Sequence, residues 1–189
     1  CVPSFDDVSI NVDSSTSIAA AGPDQYLCNT TSASLAANTP SVTETGTWTL
    51  VSGSAGITNV SDPNSTLTGL TIGDSCTLRW TITTLNGGCT PSFDDIAIHV
   101  DLPSSGALAG ADQNLCDTTA TLLAGNAPAV DEIGAWSIVS GSATVSNIND
   151  PTSGITGLTI GASSVLRWTI SSQNGGCTSS TNDVVINVD

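Results

Sequence analysis

The chain has 189 residues, with 17 Asp plus Glu against two Arg, no Lys and one His, for a formal net charge of -15. So acidic a surface offers no basic footprint for phosphate contacts, which argues against nucleic-acid binding and against electrostatic docking on anionic lipid, and no apolar run approaches the roughly 18 residues of a membrane-spanning helix. One histidine and no lysine also leave out the parts for Schiff-base chemistry, His-activated nucleophiles and multi-histidine metal centres, so an enzyme is not expected.

Thr, Ser, Val, Ile, Gly and Asn are plentiful, Lys and Met are absent and Glu is scarce, which is the composition of an all-β protein. A mean hydropathy of +0.18 and evenly spaced apolar residues indicate packed cores rather than disorder. Internal periodicity sets the domain count. Cys28 and Cys116, Trp48 and Trp136, Trp80 and Trp168, and Cys89 and Cys177 all keep an offset of 88 residues, and 14–101 laid over 102–189 without a gap gives 49 identities in 88 positions. The chain therefore reads as two copies of one domain, 14–101 and 102–189. Residues 1–13, CVPSFDDVSINVD, match 89–101 and 177–189, so they read as the closing strand of a preceding repeat whose body is missing, and the chain as a slice of a longer array. A leading cysteine also fits a lipid-carrying terminus, but the match of the following twelve residues to an internal strand explains Cys1 better.

In chain order, each copy opens with a short strand ending at Cys28 or Cys116. After Gly46, alternation turns Trp48 and Leu50 inward, and Asp62-Pro63-Asn64, Gly69 and Gly73 then supply turn geometry. In LRWTI, Leu78, Trp80 and Ile82 share one face and Arg79 and Thr81 the other, as Leu166, Trp168 and Ile170 do in the second copy. Asn86-Gly87-Gly88 is a turn, and the last strand points Ile96, Ile98 and Val100 inward. About seven short strands per copy, joined by short turns and with no amphipathic helical stretch, predict an antiparallel β-sandwich. All four Trp alternate in phase with Leu and Ile, which makes them core rather than sugar-stacking platforms, and Tyr26, the only tyrosine, has Asn114 as its counterpart.

The cysteines follow the repeat and not a metal spacing: there is no Cys-x-x-Cys, and His99 has Asn187 as its counterpart, so zinc is not expected. The expected bonds are Cys28–Cys89 and Cys116–Cys177, one per domain, each tying a first strand to the turn before the last strand. In the chain-entropy model each contributes about 4 kcal/mol, and such bonds imply an oxidising compartment. Cys76 aligns with Ser164, and the pattern assigns no partner to it or to Cys1: a Cys1–Cys76 bond, an intermolecular bond and two free thiols all stay open.

The adjacent carboxylates Asp6-Asp7 and Asp94-Asp95 point to opposite sides of a strand and cannot form the facing pair of a glycosidase. Asp13, Asp24, Asp101 and Asp112 fall near the junctions, where they are candidates for calcium ligands that stiffen an array or, more simply, for turn caps that add solubility. Arg79 and Arg167 lie on an outward face, with Glu44 and Glu132 as expected partners across the sheet. Without lysine, Lys–Asn or Lys–Asp isopeptide cross-links cannot form, which leaves disulfides and strand pairing to resist force.

The strings AGPDQYLC, GTWTLVSGSA, DPNSTLTGLTIG, LRWTI, NGGCT and FDDIAIHVD together cover essentially the whole chain and resemble the Ig-like or PKD-like tandem repeats of very large cell-surface and secreted Bacteroidota proteins, many exported by the type IX system. The resemblance implies tandem Ig-like sandwiches in an extracellular stalk, fibre or gliding-type adhesin, and O-glycosylation at Asp117-Thr118-Thr119, on Thr118. The expected function is thus a structural repeat segment at the cell surface or in secreted material, with neighbouring repeats as partners and with filament assembly open to it, for instance through strand addition by 1–13. The competing expectation is a ligand-binding module, for calcium-dependent adhesion or for carbohydrate binding, attached to a secreted polysaccharide-degrading protein, with a surface or glycan receptor as partner.

Overall fold

The computed structural model describes residues 3–189 and contains fourteen strands: β1 (Gln25–Cys28), β2 (Ser32–Ser34), β3 (Glu44–Ser52), β4 (Gly56–Ile57), β5 (Thr66–Thr68), β6 (Ser75–Thr84), β7 (Ser92–Asp101), β8 (Gln113–Leu115), β9 (Thr121–Leu122), β10 (Glu132–Ser140), β11 (Thr144–Val145), β12 (Gly154–Thr156), β13 (Ala162–Ser172) and β14 (Ser180–Val188). Seven belong to each sequence repeat, the number expected. Among the described residues there is no helix long and apolar enough to cross a membrane. The contacts divide the chain into two compact units, one formed by Thr30–Ile98 with the segment ending at Gln25, the other by His99–Asp189 with Tyr26–Asn29.

Each repeat contributes a four-stranded and a three-stranded sheet. The orders are β1-β7-β6-β3 and β2-β5-β4 in the first, β10-β13-β14-β8 and β11-β12-β9 in the second. The long pairs are antiparallel, as predicted, but β8 lies parallel to β14, with Gln113 opposite Ile186 and Leu115 opposite Val188. That one parallel pairing decides where the first-strand cysteine of a copy ends up.

The core follows the period-two pattern. Leu78, Trp80, Ile82, Ile96, Ile98 and Val100 are buried, as are Leu166, Trp168, Ile170, Val184, Ile186 and Val188. Trp48 sits opposite Trp80 and Trp136 opposite Trp168, with ring centroids 5.0 Å apart in both pairs, a tilted geometry that favours aromatic contact. Both copies keep a glycine beneath the second indole: a Cβ on Gly46 would lie 2.1 Å from Trp80, and one on Gly134 2.3 Å from Trp168. The first indole of each pair donates from Nε1 to a turn carbonyl, Trp48 to Asp62 and Trp136 to Asp150, each at 3.1 Å. The Asp-Pro turn is thereby fastened to the core, and the Asp62 carboxylate closes it by accepting the Asn64 N–H.

Leu50 stands on the inward face, opposite buried Leu78, but is 40% exposed because β3 is the edge strand of its sheet and its ladder shifts register just beyond, between Leu50 and Ser52; Ile138, opposite buried Leu166 on edge strand β10, repeats this. Residues 3–24, which hold the described part of segment 1–13, have no regular secondary structure, and Phe5, Val8, Ile10 and Val12 are exposed. Cys1 and Val2 lie outside the described residues. The stretch leading into β1 is instead held by side chains: Ala19 N–H donates to Ser92 Oγ and Ala21 N–H to Asp94, and in the second copy Ala107 donates to Ser180 and Ala109 to Asn182.

Candidate functional site

Among the described residues the disulfide is Cys28–Cys177, with Cα atoms 4.7 Å apart, and Cys76, Cys89 and Cys116 are free thiols. The expected pairings Cys28–Cys89 and Cys116–Cys177 are therefore incorrect, and the strand directions explain why. Because β8 runs parallel to β14, Cys116 follows a strand that ends level with Val188, whereas Cys177 lies before that strand begins. A nine-residue strand separates the two cysteines, roughly 30 Å. The first copy matches: Asn29 N–H, next to Cys28, donates to the Asp101 carbonyl at the far end of β7, and Asp117 N–H donates to the Asp189 carbonyl, both at 3.0 Å. A first-strand cysteine thus stands at the end of its domain opposite the turn cysteine of the same copy. In repeat terms the observed bond joins the first-strand cysteine of copy one to the turn cysteine of copy two, and in contact terms it lies inside the second unit.

The turn carrying Cys177 is built to receive that strand. Asp101 is buried, and its carboxylate accepts from Asn174 Nδ2 and Gly176 N–H, each at 2.8 Å. Burial pushes its carboxyl up, but the bonds from Asn174 and Gly176 outweigh this and hold it below the usual 3.8. Gly176 has to be glycine because a Cβ would meet the Leu27 carbonyl oxygen at 2.5 Å.

The other three calcium candidates have similar structural work. Asp13 accepts from Asn86 Nδ2 and Gly88 N–H, bonds that lower its carboxyl, while Asp24 and Asp112 accept from the N–H groups of Ala97 and Val185, each at 2.8 Å. Among the described residues, no three or more His, Cys, Asp or Glu side chains gather as a metal site would need. These aspartates act as acceptors for backbone N–H groups that have no ladder partner, a role that repeats in both copies.

Arg79 and Arg167 do not meet Glu44 and Glu132. Arg79 opposes Thr49 on β3, whereas Glu44 opposes Thr84, five residues along the same ladder. Each arginine instead forks onto the aspartate across from it on the closing strand: Arg79 binds both oxygens of Asp95 at 2.8 and 2.9 Å, and Arg167 those of Asp183 at 2.7 and 2.9 Å. Arg79 also lies 3.8 Å over the Phe93 ring. All four side chains are more than a third exposed, so each pair is worth at most about 1 kcal/mol. Asp94 and Asp95 do point to opposite sides, one to Ala21 and the other to Arg79.

Glu44 instead closes the irregular segment before β1. Its carboxylate accepts the backbone N–H groups of Ser17 and Ser41, which hold its carboxyl at about 2 against the usual 4.5, and Glu132 repeats the arrangement with Ser105 and Ala129. A carboxyl whose folded value is depressed stabilises the fold above its unfolded value and loses that contribution as pH falls toward the folded one. Urea midpoints measured from pH 5 down to pH 2 are therefore expected to fall across the window from about 4.5 to 2, and Glu44→Gln to lower the midpoint at neutral pH while flattening that acid limb. Equal acid slopes in the two proteins would remove Glu44 from this role.

Thr118 is half-buried, and its hydroxyl is engaged in the turn after Cys116, donating to the Ala120 carbonyl at 3.2 Å, as Thr30 donates to Ser32 in the first copy. One feature escaped the sequence reading altogether: Tyr26 stacks on His99 with centroids 5.1 Å apart and planes 5° from parallel, and the Tyr26 ring is half exposed. Their counterparts, Asn114 and Asn187, form a side-chain hydrogen bond at 2.9 Å. Only the facing positions in a parallel first and last strand reveal such a pair, and the sequence carries no signal for that.

No family model matches the chain, and no curated protein matches it. Solved structures do. Extracellular domains 3–5 of Drosophila OTK align with a TM-score of 0.57 at 11% identity, over 88% of this chain and 59% of that one. Murine CEACAM1b aligns with a TM-score of 0.57 at 12% identity, over 86% and 95%. Immunoglobulin domains 1–5 of Sidekick-1 align with a TM-score of 0.54 at 13% identity, over 93% and 40%. The chain thus spans 59% and 40% of the OTK and Sidekick-1 structures. At these identities the likeness concerns the fold alone, and the fold is a tandem Ig-like β-sandwich.

Proposed function

We propose that this chain is a structural repeat segment of an extracellular fibre, stalk or adhesin, spacing a distal region from the surface that carries it. The observation that carries the reading is the Cys28–Cys177 bond, which links the first strand of one repeat to the turn of the next and so fastens successive copies covalently. It presupposes an oxidising compartment. Gapless repeats with near-identical cores suit a protein whose length grows by adding units, and the strong negative charge suits a long surface exposed to solvent. On this reading the chain is not an enzyme, and it follows the Bacteroidota surface-repeat resemblance, type IX export and Thr118 glycosylation included; an intact mass of the native material without added hexose would remove the last. Immunogold labelling of unpermeabilised source cells with an antibody to the chain tests the location: label along surface projections is expected, and label confined to permeabilised cells would overturn the proposal.

A second reading, a glycan-binding module, has one observation in its favour. The half-exposed Tyr26 ring backed by His99 is the kind of flat apolar face on which a sugar ring stacks. Retention on a glycan array that is lost in Tyr26→Ala would support it, and equal signals from the two proteins would exclude it.

A further inference from the structure

Of the free thiols, Cys89 and Cys116 stand in half-sites equivalent to those of the disulfide. On the first-strand side, Cys28 and Cys116 are each followed by a residue in the left-handed region, Asn29 at φ 47° and Asp117 at φ 48°, and each such residue donates its N–H to the end of the closing strand. Cys116 is exposed. On the turn side, Asp13 receives Asn86 and Gly88 at 2.6 and 2.9 Å, as Asp101 receives Asn174 and Gly176. Cys89 Sγ lies against the Asp13 and Ser14 carbonyls, and Cys177 Sγ lies against that of Asp101.

The glycine before each turn cysteine gives an independent sign. Neither Gly88 nor Gly176 has a positive φ, so neither is required by the backbone. Gly176 is bare because the Leu27 backbone lies against it, whereas a Cβ on Gly88 would meet nothing closer than the movable Asp13 carboxylate, at 3.0 Å. Contacts within the chain do not account for glycine at 88 in the way that the Leu27 backbone accounts for Gly176.

We propose that Cys116 and Cys89 are the two open halves of the clasp seen at Cys28–Cys177, each completed by another copy of this repeat: Cys116 by the turn cysteine of a following copy, Cys89 by the first-strand cysteine of a preceding one. The inference rests on reading the chain as repeat units of an array. The separation of 149 residues exceeds the 88-residue repeat, so successive clasps overlap and every domain body falls inside at least one closed loop. Forming each bond removes two protons and two electrons from two thiols. A small-molecule disulfide such as oxidised glutathione accepts the electrons: the Cys116 thiolate displaces one glutathione to give a mixed disulfide, and the partner thiolate displaces the second.

The test compares the 189-residue chain with one in which 102–189 is repeated once more after Asp189, both refolded in a glutathione buffer, blocked with iodoacetamide and mapped without reduction. In the shorter chain Cys116 is expected to be alkylated. In the longer one it is expected to be protected and joined to the appended counterpart of Cys177, and replacing the appended counterpart of Gly176 by Leu is expected to return it to the alkylated state. Cys116 still alkylated in the longer chain, or the appended turn cysteine bonded to the first-strand cysteine of its own copy, would overturn the proposal. Cys28–Cys177 is the internal control: if it forms while Cys116 stays free, the covalent ladder fails and the reading as a surface spacer stands or falls by the immunogold result.

Discussion

Pulled by its two ends, the oxidised chain is expected to yield only the residues outside the Cys28–Cys177 loop, and a reductant added under load to release about 500 Å more, 149 residues at roughly 3.4 Å each. The bond lets tension pass from β1 to the Cys177 turn without crossing β2 to β13, so both domain bodies are shielded while it is intact. Cys28→Ser is expected to show the full extension without reductant. It is also expected to lose the chain-entropy contribution of closing so long a loop, about 5 kcal/mol, seen as a lower denaturant midpoint. Had the bonds formed within each copy, reduction would give two shorter releases instead of one long one, and that pattern in the force trace would refute the load path.

Trp168→Ala is expected to cost about 3–5 kcal/mol, the range for truncating a fully buried aromatic, and to unfold the second repeat before the first. Trp168 is fully buried, packs on Trp136 and closes over Gly134. The two equivalent indoles differ in one respect. Trp168 Nε1 donates to the Asn126 carbonyl at 3.1 Å, whereas Trp80 Nε1 is buried without a partner among the described residues. Trp168→Phe therefore strips a hydrogen bond and leaves the Asn126 carbonyl short of a donor, while Trp80→Phe removes an unsatisfied donor. The first substitution should exceed the second in cost by about 1–2 kcal/mol. Paired scanning calorimetry of the two variants gives the comparison, and equal costs would show that the Asn126 bond contributes nothing.

Whatever depends on local periodicity was legible in the sequence. The offset of 88 residues maps each of the seven strands of one copy onto the other, and alternation in LRWTI and in the closing strand picks out core residues that prove buried. Strand direction leaves no such mark. Nothing in DQYLC or DQNLC says that this short strand lies parallel to the last one, and that fact sends Cys28 toward Cys177 and Cys116 away from it. The arginine partners were missed for a related reason: Arg167 stands opposite Asp183 only in the register that the closed sheet adopts. The aspartates near the junctions were read as calcium or turn-cap candidates; in the structure they accept hydrogen bonds from the turns before the closing strands and from the closing strands themselves, which becomes visible only once the irregular path before β1 is known.

The claim on which the account turns is the connectivity of one disulfide, and non-reducing peptide mapping of the 189-residue chain, alkylated before digestion, tests it most directly. The account predicts one cross-linked pair, Cys28 with Cys177, and alkylated Cys89 and Cys116. Peptides joining Cys28 to Cys89 and Cys116 to Cys177 would contradict it, and with it the covalent fastening of one repeat to the next.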